Sequence, residues 1–314
     1  MTDGFGRNIN YLRISVTERC NLRCIYCMPE CEEKVSQCGQ VLHYTEILRI
    51  AEMMAKLGVR RFRLTGGEPL VRPNLCQLIA GLKKIDGVET VALTTNGLLL
   101  NKYLNDLVDA GLDEVNISLD ALNDDLFKKI TRYFGVKQVL RGIFLALDSP
   151  IKVKLNCVAL GINDSELSPI AALARNNKLD VRFIELMPIG QGSGFSVRTE
   201  DEIISHIRHI TGPLTLAPAA FGKGPCRYYN ADNFLGRIGF ISPISHKFCK
   251  NCNRIRLTSD GFLKTCLQYN HGVHLRPLLS LGNDCLKSGI INAVKNKPAC
   301  HYFGQSESDQ RKMH

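Results

Sequence analysis

Residues 19–29 read RCNLRCIYCMP and hold three cysteines, Cys20, Cys24 and Cys27, in a C-x3-C-x2-C run. A structural zinc site usually takes four ligands, often from paired C-x2-C units. A disulfide framework needs an even number of cysteines in a secreted chain. Three unevenly spaced thiolates instead suit a [4Fe–4S] cluster that leaves one iron open to a ligand from outside the protein. Half of a zinc site, or spare thiols, is the alternative interpretation.

The composition is that of a folded chain in a reducing compartment. The length of 314 residues allows one large domain or two ordinary ones. With 45% hydrophobic and 22% charged residues, the chain can bury a sizeable core. The sequence has no apolar run of membrane-spanning length, and its start, MTDGFGRNIN, lacks the apolar core of a signal peptide. We therefore expect a cytoplasmic protein without a membrane partner. There, 13 cysteines favour metal ligands and free thiols over disulfides.

The formal charge of +10 is compatible with a solvated surface, a nucleic-acid partner or a small anionic substrate. Lys and Arg are scattered, and they form no basic stripe interleaved with aromatic side chains. We therefore expect no nucleic-acid partner. Arginines within the motifs described below favour the anionic substrate.

Short apolar runs alternate with helical patterns up to about residue 186. The predicted strands lie at 11–16, 59–65, 88–95, 112–120, 151–160 and 179–188. A first helix is predicted over 45–58, with Thr45 as its cap and Gly58 as its stop. Six β/α repeats of about thirty residues predict an α/β fold with a parallel sheet, here a partial (β/α)6 barrel resembling a TIM barrel. Ligands in such folds lie at the carboxyl ends of the strands.

This alternation stops after residues 187–195, MPIGQGSGF. One helix is predicted at 200–211, short segments broken by Gly and Pro follow, and a final helical stretch spans about 275–296. We therefore predict two domains: the partial barrel at 1–195, and a smaller α+β cap with a polar tail at 196–314.

A second motif, LTGGEP at residues 64–69, ends the second predicted strand. Its two glycines would let the backbone approach a ligand closely, although such a segment alone is an ordinary turn. Together with the cysteine run one repeat earlier, it resembles the radical S-adenosylmethionine (SAM) superfamily. The resemblance implies a [4Fe–4S] cluster on the three cysteines of residues 19–29. It also implies that SAM binds the open iron and is cleaved to a 5′-deoxyadenosyl radical.

A second cysteine set lies in residues 248–266, FCKNCNRIRLTSDGFLKTC. Cys249, Cys252 and Cys266 form a C-x2-C-x13-C pattern, again with three ligands. A zinc knuckle completed by His246 or His271 is one interpretation. The more specific interpretation is an auxiliary cluster with its own open iron, carried by the predicted cap domain.

Arg254 and Arg256 lie between these cysteines, at alternate positions of a predicted strand. Alternate strand residues share a face, so both guanidiniums should point the same way. Next to an open iron they would suit a phosphorylated substrate. Two solvated arginines are the alternative.

The two cysteine sets together resemble the GTP 3′,8-cyclase family of molybdenum-cofactor biosynthesis, over roughly residues 5–285. The segments that carry the resemblance include LRISVTERCNLRCIYCMP, FRLTGGEPLVR, LTTNG, NISLDAL, KLNCV, FIELMPIG and FCKNCNRIRLTSDG. The resemblance implies a lyase that uses two [4Fe–4S] clusters and SAM. The radical takes the ribose 3′ hydrogen of GTP, and C3′ then bonds to C8. The product would be (8S)-3′,8-cyclo-7,8-dihydroguanosine 5′-triphosphate.

The family's functional positions map onto this sequence one by one. The positions matching SAM contacts are Tyr26, Gly67, Ser118 and Met187. The positions matching GTP contacts are Arg13, Arg63, Thr94, Lys154, Arg254, Ile255 and Arg256. Catalytic roles fall to Arg13, Arg254 and Arg256, and auxiliary-cluster ligation to Cys249, Cys252 and Cys266. Independently of the resemblance, cations on otherwise apolar strands favour an anionic ligand.

The resemblance also implies partners: a reductant such as flavodoxin or ferredoxin, and a downstream pyranopterin monophosphate synthase, with a homodimer left open. The family ends in two glycines, whereas this chain ends Arg311-Lys312-Met313-His314. Either the sequence is cut short or the tail has diverged. For the chain as written, we expect cluster binding and SAM cleavage with slow or absent GTP turnover. Seven further cysteines have no assigned role and are expected to be small buried residues: Cys31, Cys38, Cys76, Cys157, Cys226, Cys285 and Cys300. The alternative functions are a radical SAM maturase acting on a peptide, and a zinc-bearing nucleic-acid-binding protein.

Overall fold

The computed structural model describes residues 1–29, 41–218 and 224–303. In the first part of the chain, strands and helices alternate as predicted. The strands are β1 (Tyr11–Ser15), β2 (Arg61–Thr65), β3 (Thr90–Thr95), β4 (Glu114–Ser118), β5 (Lys152–Ala159) and β6 (Asp180–Glu185). The helices are α1 (Tyr44–Lys56), α2 (Leu75–Lys83), α3 (Leu100–Asp109), α4 (Asp124–Thr131), α5 (Val136–Leu147) and α6 (Asp164–Ala172). The expectations for the terminal Arg311–His314 and for Cys31 and Cys38 lie outside the described residues.

The second part of the chain begins with helix α7 (Glu200–Thr211), as predicted. The strands that follow are β7 (Leu214–Leu216), β8 (Arg227–Ala231), β9 (Ile238–Ile241), β10 (Arg254–Leu257), β11 (Phe262–Lys264) and β12 (Gly272–His274). The final helical stretch is two helices, α8 (Leu275–Leu281) and α9 (Asn283–Lys295). They divide at Gly282, whose φ of +105° lies in the left-handed region that glycine adopts readily.

One sheet contains all twelve of these strands, in the order β12-β11-β10-β1-β2-β3-β4-β5-β6-β9-β8-β7. Strands β1 to β6 are parallel neighbours, so the predicted α/β architecture is confirmed. β10 pairs in parallel with β1, and β9 pairs in parallel with β6. The later strands therefore extend the sheet at both edges. As a result, residues from the two ends of the chain lie side by side.

Alternation within each strand separates core from cavity. In β1, Leu12 and Ile14 are fully buried in the hydrophobic core, whereas Tyr11 and Arg13 line cavities on the other face. Helix α1 is capped by His43 and not by the predicted Thr45. The His43 amide donates to Glu46 Oε2 at 2.6 Å, which satisfies a donor at the start of the helix. Among the described residues, no helix is long and apolar enough to span a membrane.

Candidate active site

A row of three arginines crosses three adjacent strands. Arg13 on β1 is in register with Arg256 on β10 and with Arg63 on β2. Neighbouring parallel strands lie only about 4.8 Å apart, so the three side chains start close together. Residue 255, between the two arginines of β10, is a fully buried isoleucine in the core. Arg254 and Arg256 therefore share the cavity face, as predicted, and residue 255 reaches that face only through its backbone.

The guanidiniums of this row repel one another. Burial lowers the pKa of Arg13 well below its ordinary value, and the charge of Arg256 lowers it further. Burial and then Arg254 lower the pKa of Arg256 to about 10. The Arg13 Nε has no hydrogen-bond partner anywhere in the described chain. A buried, underpaired cation is unfavourable in a folded protein, so this row indicates a site for an anion.

The first cavity, of about 310 Å³, lies along strands β1 to β6. Six cationic side chains line it and one acidic side chain, Glu114, does so. Glu114 accepts from Lys154 Nζ at 2.7 Å and from Arg63 Nη2 at 3.4 Å. Burial acts to raise the pKa of Glu114, but Lys154 and Arg63 hold it below its ordinary value. The excess of positive charge favours a polyanionic ligand such as a nucleotide triphosphate.

Among these cations, the sequence analysis predicted Lys154 and missed Arg182. Lys154 was predicted from the family resemblance, and Arg63 and Thr94 line the same cavity. Arg182 on β6 was missed. Its Nε is also buried without a partner in the described ranges, and its strand neighbour is Asn156 on β5. The signal was present, because Arg182 interrupts an apolar strand, LDVRFIEL.

A second cavity, of about 180 Å³, shares Arg13 with the first. Cys249, Cys252 and Cys266 line it together with Arg254 and Arg256, and Met187 lies there too. Burial raises the pKa of Cys249. Burial also acts to raise the pKa of Cys252, but Lys297 and Arg254 lower it below its ordinary value. Three thiols at one cavity, flanked by cations, fit an anionic thiolate-bound cluster.

The first cysteine set lies in the loop directly after β1. Burial raises the pKa of each thiol, and the other two cysteines contribute to the rise at Cys24. The thiols therefore lie close enough to interact. The Cys27 amide donates to the Cys24 carbonyl at 2.9 Å, which folds the loop into a tight turn. No group of three His, Cys, Asp or Glu side chains in residues 1–29, 41–218 and 224–303 is placed to hold a metal ion as it stands.

The glycines of LTGGEP face this cysteine loop. A Cβ on Gly66 would lie 2.4 Å from the Thr17 carbonyl oxygen, and one on Gly67 would lie 2.3 Å from that of Arg19. The Gly67 amide also donates to Thr17 at 2.8 Å. The glycines thus allow a close backbone approach to the cysteine loop, and their expected approach to a ligand stays a prediction. The two glycines fix the position of the cysteine run.

Two buried carboxylates that the sequence analysis missed support the same end of the sheet. Glu68 accepts from Thr95 Oγ1 and from the Asn96 amide, both at 2.7 Å, which joins the loops after β2 and β3. Burial raises the pKa of Glu68. Asp120 accepts from Tyr26 Oη at 2.7 Å, and burial raises its pKa to about 6. An acid two or three residues after an apolar strand was the available signal for both.

The predicted residues therefore fall into two groups. Arg13, Arg63, Thr94, Lys154, Arg254 and Arg256 line the two cavities with the second cysteine set and Met187. Tyr26 and Gly67 belong to the first cysteine loop or contact it, and Ser118 ends β4 two residues before Asp120.

Comparison with known proteins shows the family to which the chain belongs. Residues 14–174 match the model of the radical SAM superfamily, and residues 179–303 match that of Molybdenum Cofactor Synthesis C. The chain is 42% identical over 315 residues to GTP 3′,8-cyclase of Clostridium perfringens, covering 99% of this chain and 98% of the relative. The enzyme of the same name from Alkaliphilus metalliredigens is 44% identical over 308 residues, covering 96% and 95%.

A solved structure supports the fold. SuiB of Streptococcus suis bound to S-adenosylmethionine superposes with a TM-score of 0.65 at 14% identity, covering 90% of this chain and 68% of SuiB. The chain belongs to the radical SAM superfamily and, within it, to the GTP 3′,8-cyclase family. An iron–sulfur cluster and SAM are its cofactors. The domain boundary at residue 195 stays a prediction.

Proposed function

We propose that the chain is a radical SAM GTP 3′,8-cyclase of molybdenum-cofactor biosynthesis. The observation that carries the proposal is the row of Arg256, Arg13 and Arg63, which joins the cysteine-lined cavity to the cationic cavity. One molecule with a polyanionic end and an aromatic base could occupy both. When bound, a reduced [4Fe–4S] cluster with SAM would supply a 5′-deoxyadenosyl radical for removal of the 3′ hydrogen of GTP, as formation of the C3′–C8 bond requires.

The triphosphate is proposed to bind in the cationic cavity. Lys154 and Arg63 already hold fixed positions there through Glu114 and need little reordering on binding. Arg13 lines both cavities, and Arg256 lies beside it in the cysteine-lined cavity. Both guanidiniums are buried donors, and each charge-assisted contact to a phosphate oxygen would add specificity. Thr94 contributes a hydroxyl at the wall of the same cavity.

Two clusters are proposed, one for each cysteine set. Cys20, Cys24 and Cys27 would hold the SAM cluster, with Tyr26, Gly67, Ser118 and Met187 around SAM. Asp120 fixes the Tyr26 hydroxyl, and Gly67 holds the loop against β2. Cys249, Cys252 and Cys266 would hold the auxiliary cluster, whose open iron would face the guanine base beside Arg254 and the backbone of Ile255. Arg13, Arg254 and Arg256 would orient the nucleotide between the two clusters.

The cellular setting follows from this proposal. A reductant such as flavodoxin or ferredoxin would supply the electron, and a pyranopterin monophosphate synthase would consume the product. A cytoplasmic location suits both partners and the many free thiols.

The test is anaerobic reconstitution followed by incubation with GTP, SAM and dithionite. A cyclised nucleotide detected by mass spectrometry, with about eight iron and about eight sulfide per chain, supports the proposal. Deoxyadenosine production with neither consumption of GTP nor calorimetrically detectable GTP binding would favour the peptide maturase. Stoichiometric zinc without sulfide would favour the non-enzymatic alternative.

A further inference from the structure

The segment that follows α9 is fastened to the auxiliary cysteines. Arg7 donates to the Cys249 carbonyl at 3.0 Å, to Ala299 at 2.8 Å and to Pro298 at 2.7 Å. Lys297, only 3% exposed, donates to the Arg254 carbonyl at 3.1 Å and to the Thr265 carbonyl. These bonds join the segment to both ends of the second cysteine set.

Cys300 is carried by this segment and lines the same cavity as Cys249, Cys252 and Cys266. Its thiol is close enough to contribute to the raised pKa of Cys249. The next residue, His301, donates its amide to Cys249 Sγ at 3.4 Å, which fixes the backbone beside Cys300. The cavity therefore has four cysteines, and the expectation that Cys300 is only a small buried residue does not describe its position.

The His301 side chain provides a second, independent observation. It is 6% exposed and lines this cavity, and neither ring nitrogen has a partner of hydrogen-bonding geometry in the described residues, although the Pro243 carbonyl faces the ring. Buried polar groups are almost always paired in native proteins. Even with the Pro243 carbonyl facing the ring, one nitrogen of this buried imidazole lacks a partner in the described residues, which indicates that the cavity holds a further group when the protein is loaded.

We propose that Cys300 is the fourth ligand of the auxiliary cluster while no nucleotide is bound, an inference that rests on the function proposed above. The Cys300 thiol releases its proton to solvent as it binds the open iron. GTP then displaces the thiolate, which takes up a proton again, and no electron is transferred. The Tyr302 side chain, which lies within hydrogen-bonding reach of Cys300, would face the exchanging sulfur. The exchange would keep the iron covered until substrate arrives.

The test uses a full-length variant, Cys20→Ala/Cys24→Ala/Cys27→Ala, so that only the auxiliary cluster is present. Iodoacetamide labelling, located by peptide mass spectrometry, is compared in the apo form, after reconstitution and after addition of GTP. We expect Cys300 to be labelled in the apo form, protected by the cluster and labelled again with GTP. Cys285, exposed on α9, should be labelled in all three. The wild-type chain is labelled in parallel.

A spectroscopic arm tests ligation directly. Cys300→Ser should shift the electron paramagnetic resonance spectrum of the reduced, nucleotide-free cluster, and the matched Cys285→Ser should not. With GTP bound, the variant and parent spectra should coincide. Equal labelling of Cys300 with and without the cluster overturns the proposal. So does an electron paramagnetic resonance spectrum that is shifted by His301→Gln but not by Cys300→Ser. Either result leaves the auxiliary cluster itself in place. Absence of iron from the reconstituted variant overturns the auxiliary cluster itself, and with it this inference.

Discussion

Replacing Arg13 by methionine should have opposite effects on folding and on substrate binding. Arg13 lies between Arg256 and Arg63 in the row, and its Nε has no partner in the part of the chain that is described. Methionine retains an unbranched apolar side chain and removes the charge. The repulsion within the row and the unpaired donor are then both lost from the apo protein.

The two magnitudes can be worked separately. An unsatisfied buried donor costs about 1–3 kcal/mol, so the free energy of unfolding of the apo protein should rise by up to that amount. A hydrogen bond to a charged group contributes about 1.5–3 kcal/mol, so loss of the phosphate contact should weaken GTP binding. At about 1.4 kcal/mol per factor of ten, the weakening is roughly tenfold to a hundredfold.

Two measurements on one variant test this. Anaerobic urea unfolding of the apo protein gives stability, and calorimetric titration of the reconstituted protein gives GTP affinity. Arg141→Met, an exposed arginine on α5, is the matched control and should change neither. If Arg13→Met lowers the stability of the apo protein and leaves GTP affinity intact, Arg13 is a structural residue and the anion site is wrongly placed.

Three further predictions concern a cluster ligand, the arginines proposed to bind GTP and a buried carboxylate. Cys24→Ala should abolish deoxyadenosine formation and reduce iron from about eight to about four per chain, and continued SAM cleavage would contradict the ligand assignment. Arg254→Ala and Arg256→Ala should each weaken productive GTP binding by about 1.5–3 kcal/mol at constant iron content, whereas loss of iron would make them structural. Asp120 has its folded pKa raised to about 6, so protonation favours the folded state. As the pH rises from about 4 to about 6, the unfolding free energy of the wild-type apo protein should therefore fall by up to about 3 kcal/mol relative to that of Asp120→Asn. Urea unfolding at several pH values measures this, and an unfolding free energy that changes with pH in the same way for both proteins would refute the pKa shift.

The sequence predicted the β/α alternation because each strand is a short apolar run bounded by turn residues, and each helix repeats its apolar positions at helical spacing. It identified both cysteine sets as candidate ligands because ligand spacing is local, and their ligation stays a prediction. It could not show that β10 pairs with β1. β10 has four residues and lies about 240 positions away in the chain, and pairing over that distance leaves no local pattern. It also missed Glu68 and Asp120, whose roles depend on partners in other loops.

The pairing of β10 with β1 has a consequence for function. Arg256 reaches Arg13 only when the second part of the chain has added its strand to the edge of the sheet. Arg7, from the first residues, then ties the Cys249 carbonyl to the segment after α9. The anion site and the second cysteine set are thus completed by the same contacts between the two ends of the chain. Because neither end contains the site alone, binding of GTP should stabilise these contacts by mass action and slow amide exchange in β10 and in residues 297–301 together.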